Sequence, residues 1–250
     1  MDIKSLFRSI PTITKNLIIV NVIMWLATIV FMKTAGINLE QMLGLHYWRG
    51  SDFNPIQFFT YMFMHDSTGL AHIFFNMFSL WMFGMTLERV LGGKRFLFYY
   101  LTCGLGAAFV QEITWEITLN DMFVTGFANA NGLTFDTVRS LMATGQIDAF
   151  VNDFYSQMVT VGASGAVFGI LLAFGMLFPN LSMYIIPFPF PIKAKWVVIG
   201  YGAIELFFGV AGVMQGVAHF AHLGGMLFGF CLLMYWRNSV KSGGQGNGVF

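Results

Sequence analysis

The sequence predicts an all-α fold, a polytopic membrane bundle of six transmembrane helices. Three observations carry this prediction. Charge is scarce: 13 Lys and Arg plus 12 Asp and Glu make up 10 % of the 250 residues, while 56 % are hydrophobic and 29 are Phe. A water-facing domain carries about 25 % charge. Mean hydropathy is +0.68. Second, long stretches lack Asp, Glu, Lys and Arg altogether: Asn16–Met32, Ser67–Leu87, Phe96–Gln111, Phe154–Ile192 and Leu206–Trp236. A span needs about 20 mostly apolar residues. Third, Lys and Arg sort to one side once six spans are drawn, as cytoplasmic loops do.

The first predicted span, 15–35, follows a polar segment holding Lys4, Arg8 and Lys15. No small-residue cleavage site ends it, so it reads as a retained helix rather than a removed signal. The second and third spans, 68–88 and 94–115, follow from the next two charge-free stretches. The fourth stretch is too long for one span. Pro179 and the run Pro187-Phe188-Pro189-Phe190-Pro191 break it, leaving a span over 157–178. Residues 195–213 and 217–236 complete the six, separated near Gly212–Gly216. The domain organisation is thus a short cytoplasmic segment 1–14, a six-helix domain 15–236 and a flexible cytoplasmic tail 237–250. With the N-terminus inside, ten Lys and Arg lie in the cytoplasm and only Lys33, Arg49 and Arg139 lie outside. Both termini are therefore expected in the cytoplasm.

Two outer loops are long. Residues 36–66 carry Leu43, Leu45, Tyr47, Trp48, Phe53, Phe58 and Phe59, which suit a partly embedded structure at the interface. Residues 116–156 carry the turn signal Asn129-Ala130-Asn131-Gly132 and a possible surface helix from Val138 to Phe150. Other function classes are disfavoured. Net charge is +1 with no basic stripe, which argues against nucleic-acid binding. Cys103 and Cys231 form no CxxC pair and read as small buried thiols. No HExxH occurs, and no cofactor or metal is expected.

Polar groups inside a bilayer are costly and mark function. The predicted spans hold His72 and Asn76 in the second, Ser164 in the fourth, Glu205 in the fifth, and His219 and His222 in the sixth. Spans two, four and six all run inward, and each carries its polar residues near its start. At 1.5 Å per residue these groups share one layer roughly 5–10 Å below the outer surface. His72 and Asn76, four apart, share a helix face. Gly165 and Gly169, like Gly225 and Gly229, form GxxxG pairs that let membrane helices touch. If spans four and six pack on them, Ser164 and His222 meet as nucleophile and general base. Such a pair suits acyl transfer, with Asn76, His72 and the Ser164 N–H as donors for the developing oxyanion. No carboxylate is expected beside His222, because Glu205 lies on the fifth span, where it reads as a buried packing carboxyl with a functional role as the alternative; a dyad is the simpler reading.

At these residues the sequence resembles the rhomboid family of intramembrane serine proteases. The matching pieces are His72-Ile-Phe-Phe-Asn76, Gly162-Ala-Ser164-Gly165, and Ala221-His222-Leu-Gly-Gly225 with Gly229, on the second, fourth and sixth helices. The resemblance implies Ser164 as nucleophile, His222 as base and then acid, and His72 and Asn76 as the oxyanion-stabilising pair. It also implies a structural role for Glu88. Two departures stand out. Ile56 and Gln57 occupy the positions where the family often has Trp-Arg, and the Trp48-Arg49 pair lies too early to map there. Phe168 stands where the family commonly has Tyr, so it can stack under the histidine but not hydrogen-bond.

The resemblance implies a serine endopeptidase that cuts single-span membrane proteins near the outer face, with the bilayer as its other partner. Its expected location is the inner (plasma) membrane of a bacterium. The fifth helix and the loop before the sixth would form a gate, helped by Gly200, Gly202, Gly209, Gly212 and Gly216. Two alternatives fit these residues less well. A catalytically inactive client-binding relative would usually lack the serine or the histidine, and both are present. A small transporter would show repeated halves, and none is visible. No Asp lies in a predicted span, which disfavours an aspartyl protease.

Overall fold

The computed structural model describes residues 9–184, 190–212 and 217–242. The flexible tail expected over 237–250 is helical through Ser242, and the rest of it lies outside the described residues, as do Gly216 and Pro187-Phe188-Pro189. The chain is predominantly helical. Helix α1 covers Thr12–Ala35, and the segment 36–66 holds α2 (Leu39–Leu43), strand β1 (Leu45–His46) and α3 (Gln57–Thr60). Next come α4 (Ala71–Ser79), a π turn (Leu80–Gly84) and α5 (Met85–Leu91), which run on as one helical stretch. Helix α6 covers Gly93–Asn131 and is followed by α7 (Phe135–Ala143), α8 (Asp148–Ser156) and β2 (Val159–Thr160). Helix α9 (Ser164–Leu177), the pair β3 (Ser182–Met183) and β4 (Ile192–Lys193), α10 (Ala194–Ala211) and α11 (His219–Ser242) complete the order.

Among the described residues, four helices are long and apolar enough to cross a membrane: Thr12–Ala35, Gly93–Asn131, Ala194–Ala211 and His219–Ser239. The expected second and fourth spans fall short of that measure as single helices. One is interrupted by the π turn, and α9 has only 14 residues. Helix α11 packs along both α6 and α9, and these three form the centre of the bundle. Helices α1 and α10 are peripheral, with 17 % and 22 % of their apolar windows buried against 56 % for α6. Their outer faces are apolar, with Ile23, Leu26 and Val30 on α1 and Ile199, Phe207 and Val210 on α10. Such faces are stable against lipid, not water.

Two elements differ from the sequence expectation. Helix α6 does not end near residue 115 but runs 39 residues, about 58 Å. That is about twice the 30 Å hydrocarbon core. Its far half buries Phe123, Val124 and Ala128 against Val138 and Ile147, a small separate core outside the main bundle. Gly132, at φ 66°, ends the helix at the expected turn. The single surface helix expected over Val138–Phe150 is instead two, α7 and α8, split at Thr144–Ile147.

The other difference lies at the start of the fourth predicted span. Residues 157–163 are not helical. β2 pairs antiparallel with β1, Leu45 facing Thr160 and His46 facing Val159. Gly162 follows at φ 131°, a backbone state that side chains rarely adopt, and α9 begins only at Ser164.

Glu88 fastens one end of the bundle. Its carboxylate accepts from the backbone N–H groups of Ile13 (2.9 Å) and Thr14 (2.7 Å) and from the Thr14 hydroxyl (2.8 Å). It thereby caps the N-terminus of α1, whose flanking Pro11 offers no side-chain cap. Glu88→Ala is expected to lower unfolding free energy by about 2–4 kcal/mol, because buried donors lose a charged acceptor. Unfolding in mixed detergent measures this, and Glu88→Gln, which keeps one acceptor oxygen, is expected to lose about half as much.

Candidate active site

Ser164 is the first residue of α9, so its N–H belongs to the helix's unpaired N-terminal donors. The positive end of the helix dipole lies at the same place. His222 lies in the first turn of α11. Between the two helices the glycines remove all side-chain bulk. A Cβ on Gly225 would lie 2.7 Å from the Gly165 carbonyl carbon, and one on Gly169 would lie 3.0 Å from the Gly225 oxygen. Gly229 faces Tyr99 and Cys103 of α6 just as tightly, and Gly165 faces Ala107. The Tyr99 hydroxyl donates to the Gly169 carbonyl at 2.8 Å, which ties α6 to α9.

This packing brings the Ser164 Oγ to 2.8 Å from His222 Nε2. Phe168, one turn below Ser164, stacks flat on the imidazole, with ring centroids 4.2 Å apart and planes 8° apart. The ring is thus held from one face and hydrogen-bonded at one edge.

His72 and Asn76 lie on α4 across a cavity of about 1040 Å³ that also exposes Ser164 and His222. His72 Nε2 stands 2.8 Å from where a Cβ on Gly162 would be, and Ser164 Oγ stands 3.6 Å from the same point. That is one reason Gly162 carries no side chain. His72 Nδ1 accepts a long bond, 3.4 Å, from the Asp66 N–H. A neutral imidazole has one donor and one acceptor, so a neutral His72 carries its proton on Nε2. Asn76 donates one amide hydrogen to the His72 carbonyl at 2.9 Å and keeps a second.

The cavity rim includes Asp66, Gln111, Gln157 and Thr160, all polar. A hydrogen bond from the Thr68 side chain holds the Asp66 carboxyl below the usual carboxylate range, so the rim carries a negative charge. Behind His72, burial above all and then the neighbouring His72 push His65 down to about 3. His65 is therefore a neutral ring packed 5.1 Å from His72.

The expectation that no carboxylate stands near His222 is overturned. Glu205 of α10 places Oε2 2.7 Å from His219 Nδ1 and 3.0 Å from His222 Nδ1. Only the His219 contact counts as a full hydrogen bond, so the attraction between Glu205 and His222 is mainly electrostatic. Their ligand atoms lie within 4.8 Å of one another, a spacing that a divalent cation would also accept. The 2.7 Å separation is already that of a hydrogen bond. Nothing in the spacing of 205 and 222 announces this contact, which depends on how two helices are rotated against each other.

Gln57 is a second residue whose role went unread. It is buried, accepts from the N–H of Asn54 (3.0 Å) and His46 (3.3 Å), and donates to the carbonyls of Asp52 (3.0 Å) and Met42 (3.3 Å). It therefore holds the segment 36–66 in shape. Trp48 and Arg49 pin that segment to α6. The Trp48 N–H reaches Glu112 at 2.9 Å, its indole N–H reaches Glu116 at 2.8 Å, and Arg49 pairs with Glu116. Ile56 is exposed.

Helices long and apolar enough to cross a membrane pack around a polar cavity in which a serine hydroxyl is bonded to an imidazole, the arrangement of a membrane-embedded protein with a polar site. Comparison with known proteins makes the class specific. Residues 45–239 match the Rhomboid domain, and the chain belongs to the rhomboid family. It is 30 % identical over 162 residues to the rhomboid protease GluP of Bacillus subtilis, covering 65 % of this chain and 22 % of that one. It is 25 % identical over 170 residues to the mitochondrial rhomboid protein 1 of Saccharomyces cerevisiae, covering 68 % and 39 %. The mitochondrial presenilin-associated rhomboid-like protein of Bos taurus is 27 % identical over 185 residues, covering 70 % and 38 %. The chain spans about two-fifths or less of the length of these relatives. Family membership supports an intramembrane protease kind of function.

Proposed function

We propose that the chain is an intramembrane serine endopeptidase that cuts single-span membrane proteins near the outer face of the bilayer. The observation that supports this most is the 2.8 Å contact between Ser164 Oγ and His222 Nε2. In this reading the Ser164 oxygen attacks the scissile carbonyl carbon while its proton passes to His222 Nε2. The carbonyl electron pair moves onto oxygen, where the Ser164 N–H, His72 Nε2–H and the second Asn76 amide hydrogen receive it. The C–N bond then breaks and His222 returns the proton to the leaving amine. Water repeats the sequence on the acyl-enzyme, and the polar rim of the cavity is its route in.

All six helical segments cross the membrane in this reading, with the Lys- and Arg-rich ends in the cytoplasm. Helix α9, about 21 Å long, then starts below the outer surface, which keeps Ser164 inside the bilayer. The peripheral α10 serves as the gate through which a substrate helix enters. The membrane proposed is a bacterial plasma membrane. The relatives named above are one bacterial and two mitochondrial proteins, and reporter fusions at either terminus distinguish the orientations.

A fluorophosphonate probe tests the chemistry directly. The expected result is one covalent adduct per chain, found on Ser164 by peptide mass spectrometry. An intact, folded protein that does not label and does not cut a single-span substrate would reject the reading. Asn76→Ala is expected to slow cleavage by about 10²-fold, as loss of one oxyanion donor does. The loss should appear in kcat rather than KM, measured with a fluorogenic membrane substrate.

A further inference from the structure

Glu205 and His219 have no part in the dyad chemistry, yet both are buried beside it, Glu205 8 % exposed and His219 6 %. A buried carboxylate in an apolar helix is costly unless it is paired. Here one oxygen, Oε2, serves two imidazoles, at 2.7 Å from His219 Nδ1 and 3.0 Å from His222 Nδ1. We infer that Glu205, held by His219, is a positioning residue that fixes the tautomer of His222 and completes a Ser164–His222–Glu205 relay. This inference rests on the proposed protease reading.

The chemistry follows from the two nitrogens of one ring. To take the Ser164 proton, His222 Nε2 must be unprotonated, so the ring proton must sit on Nδ1. The Glu205 carboxylate lies on the Nδ1 side and favours that proton there. When Nε2 gains the serine proton, the imidazolium forms 3.0 Å from a negative oxygen. The carboxylate stays ionised throughout and gains no proton.

His219 supplies the second constraint. Its Nδ1–H donates to the same oxygen, and its own ring packs edge-on against Phe208 with centroids 5.7 Å apart. The carboxylate is thus aimed from helix α10 while its histidine partners sit on α11. Because α10 is the peripheral helix, moving it away from α11 would take the carboxylate away from His222. The relay is complete only when α10 is seated.

The test combines kinetics with a spectroscopic signature that needs no turnover. In ¹⁵N-histidine-labelled wild-type protein, His222 is expected as the Nδ1–H tautomer. In Glu205→Gln it is expected to become a mixture of tautomers. Glu205→Gln is also expected to lower kcat by about 10²–10³-fold with KM nearly unchanged, less than the full loss seen for a well-aligned triad carboxylate. Fluorophosphonate labelling of Ser164 should slow in parallel. Glu205→Asp should recover part of the rate, and His219→Gln should cost about tenfold.

Glu205→Gln with an unchanged tautomer and a kcat within threefold of wild type would overturn the inference while leaving the protease reading intact. Wild-type protein that neither labels nor cleaves would instead reject the protease reading and the relay with it. If Glu205→Gln does not fold, His219→Gln and Glu205→Asp decide by the same two readouts. Activity lost to a chelator and restored by zinc would overturn the inference too, because the three groups would then be holding a cation.

Discussion

Ser164→Ala is expected to reduce cleavage of a single-span substrate to background, a loss on the order of 10⁵–10⁶-fold in kcat, without unfolding the protein. The size follows from what is removed. Without Oγ there is no acyl-enzyme, and only binding and the oxyanion donors remain to act on water. The fold should tolerate the change. Ser164 is only partly buried, faces the cavity and starts a helix whose backbone bonds do not use its hydroxyl. The His222 Nε2 left behind opens onto the same cavity, where water can replace the serine. Unfolding free energy should therefore shift by less than about 1 kcal/mol.

His222→Ala should abolish cleavage equally, and the double variant should be no worse than either single one, because the two groups act as a unit. His222→Ala should also be measurably less stable, since it removes the ring stacked on Phe168. Cleavage assays in proteoliposomes, with unfolding followed in parallel, separate the two effects. Ser164→Ala protein that still cuts the substrate would end the argument for Ser164.

Much of this site could be read from residues alone because its logic is helical. His72, Asn76, Ser164 and His222 each lie near the start of a helical segment, so counting residues puts them at like distances from the segment ends. The paired glycines announce where two helices touch. What could not be read depends on rotation and on backbone outside the bilayer. Glu112, Glu116 and Asp121 interrupt the charge-free run of α6, and charge marks where a span leaves the lipid, not where a helix stops. Ser164 stands at a helix start because Gly162 turns the chain and β2 pairs with β1, a contact between residues more than a hundred apart. Glu205 meets His222 through the facing of α10 on α11. Gln57 is one polar residue in a loop, and only the folded loop shows that four backbone groups converge on it.

Gly225→Ala is expected to damage stability and catalysis together, and more severely than any other single methyl addition in the bundle. The new Cβ would fall within the contact radius of the Gly165 carbonyl oxygen and 2.7 Å from its carbon. Backbone cannot swing aside as a side chain can, so α11 must move off α9. Overpacking of this kind costs about 1–3 kcal/mol. Ser164 is one residue from Gly165 and His222 three from Gly225, so the same displacement lengthens the 2.8 Å contact between Oγ and Nε2. A misplacement of about 1 Å costs roughly 10²-fold in rate.

The prediction has an internal control at the far end of α6. Gly126 has nothing within 4 Å of where a Cβ would stand. Gly126→Ala should leave cleavage within threefold and raise stability by up to about 1 kcal/mol through helix propensity. Thermal unfolding and cleavage of both variants, read together, test whether close backbone contact sets the distance between hydroxyl and imidazole. If Gly225→Ala matched wild type in both measurements, the two helices would not be held at this separation and the site would need another source of its geometry.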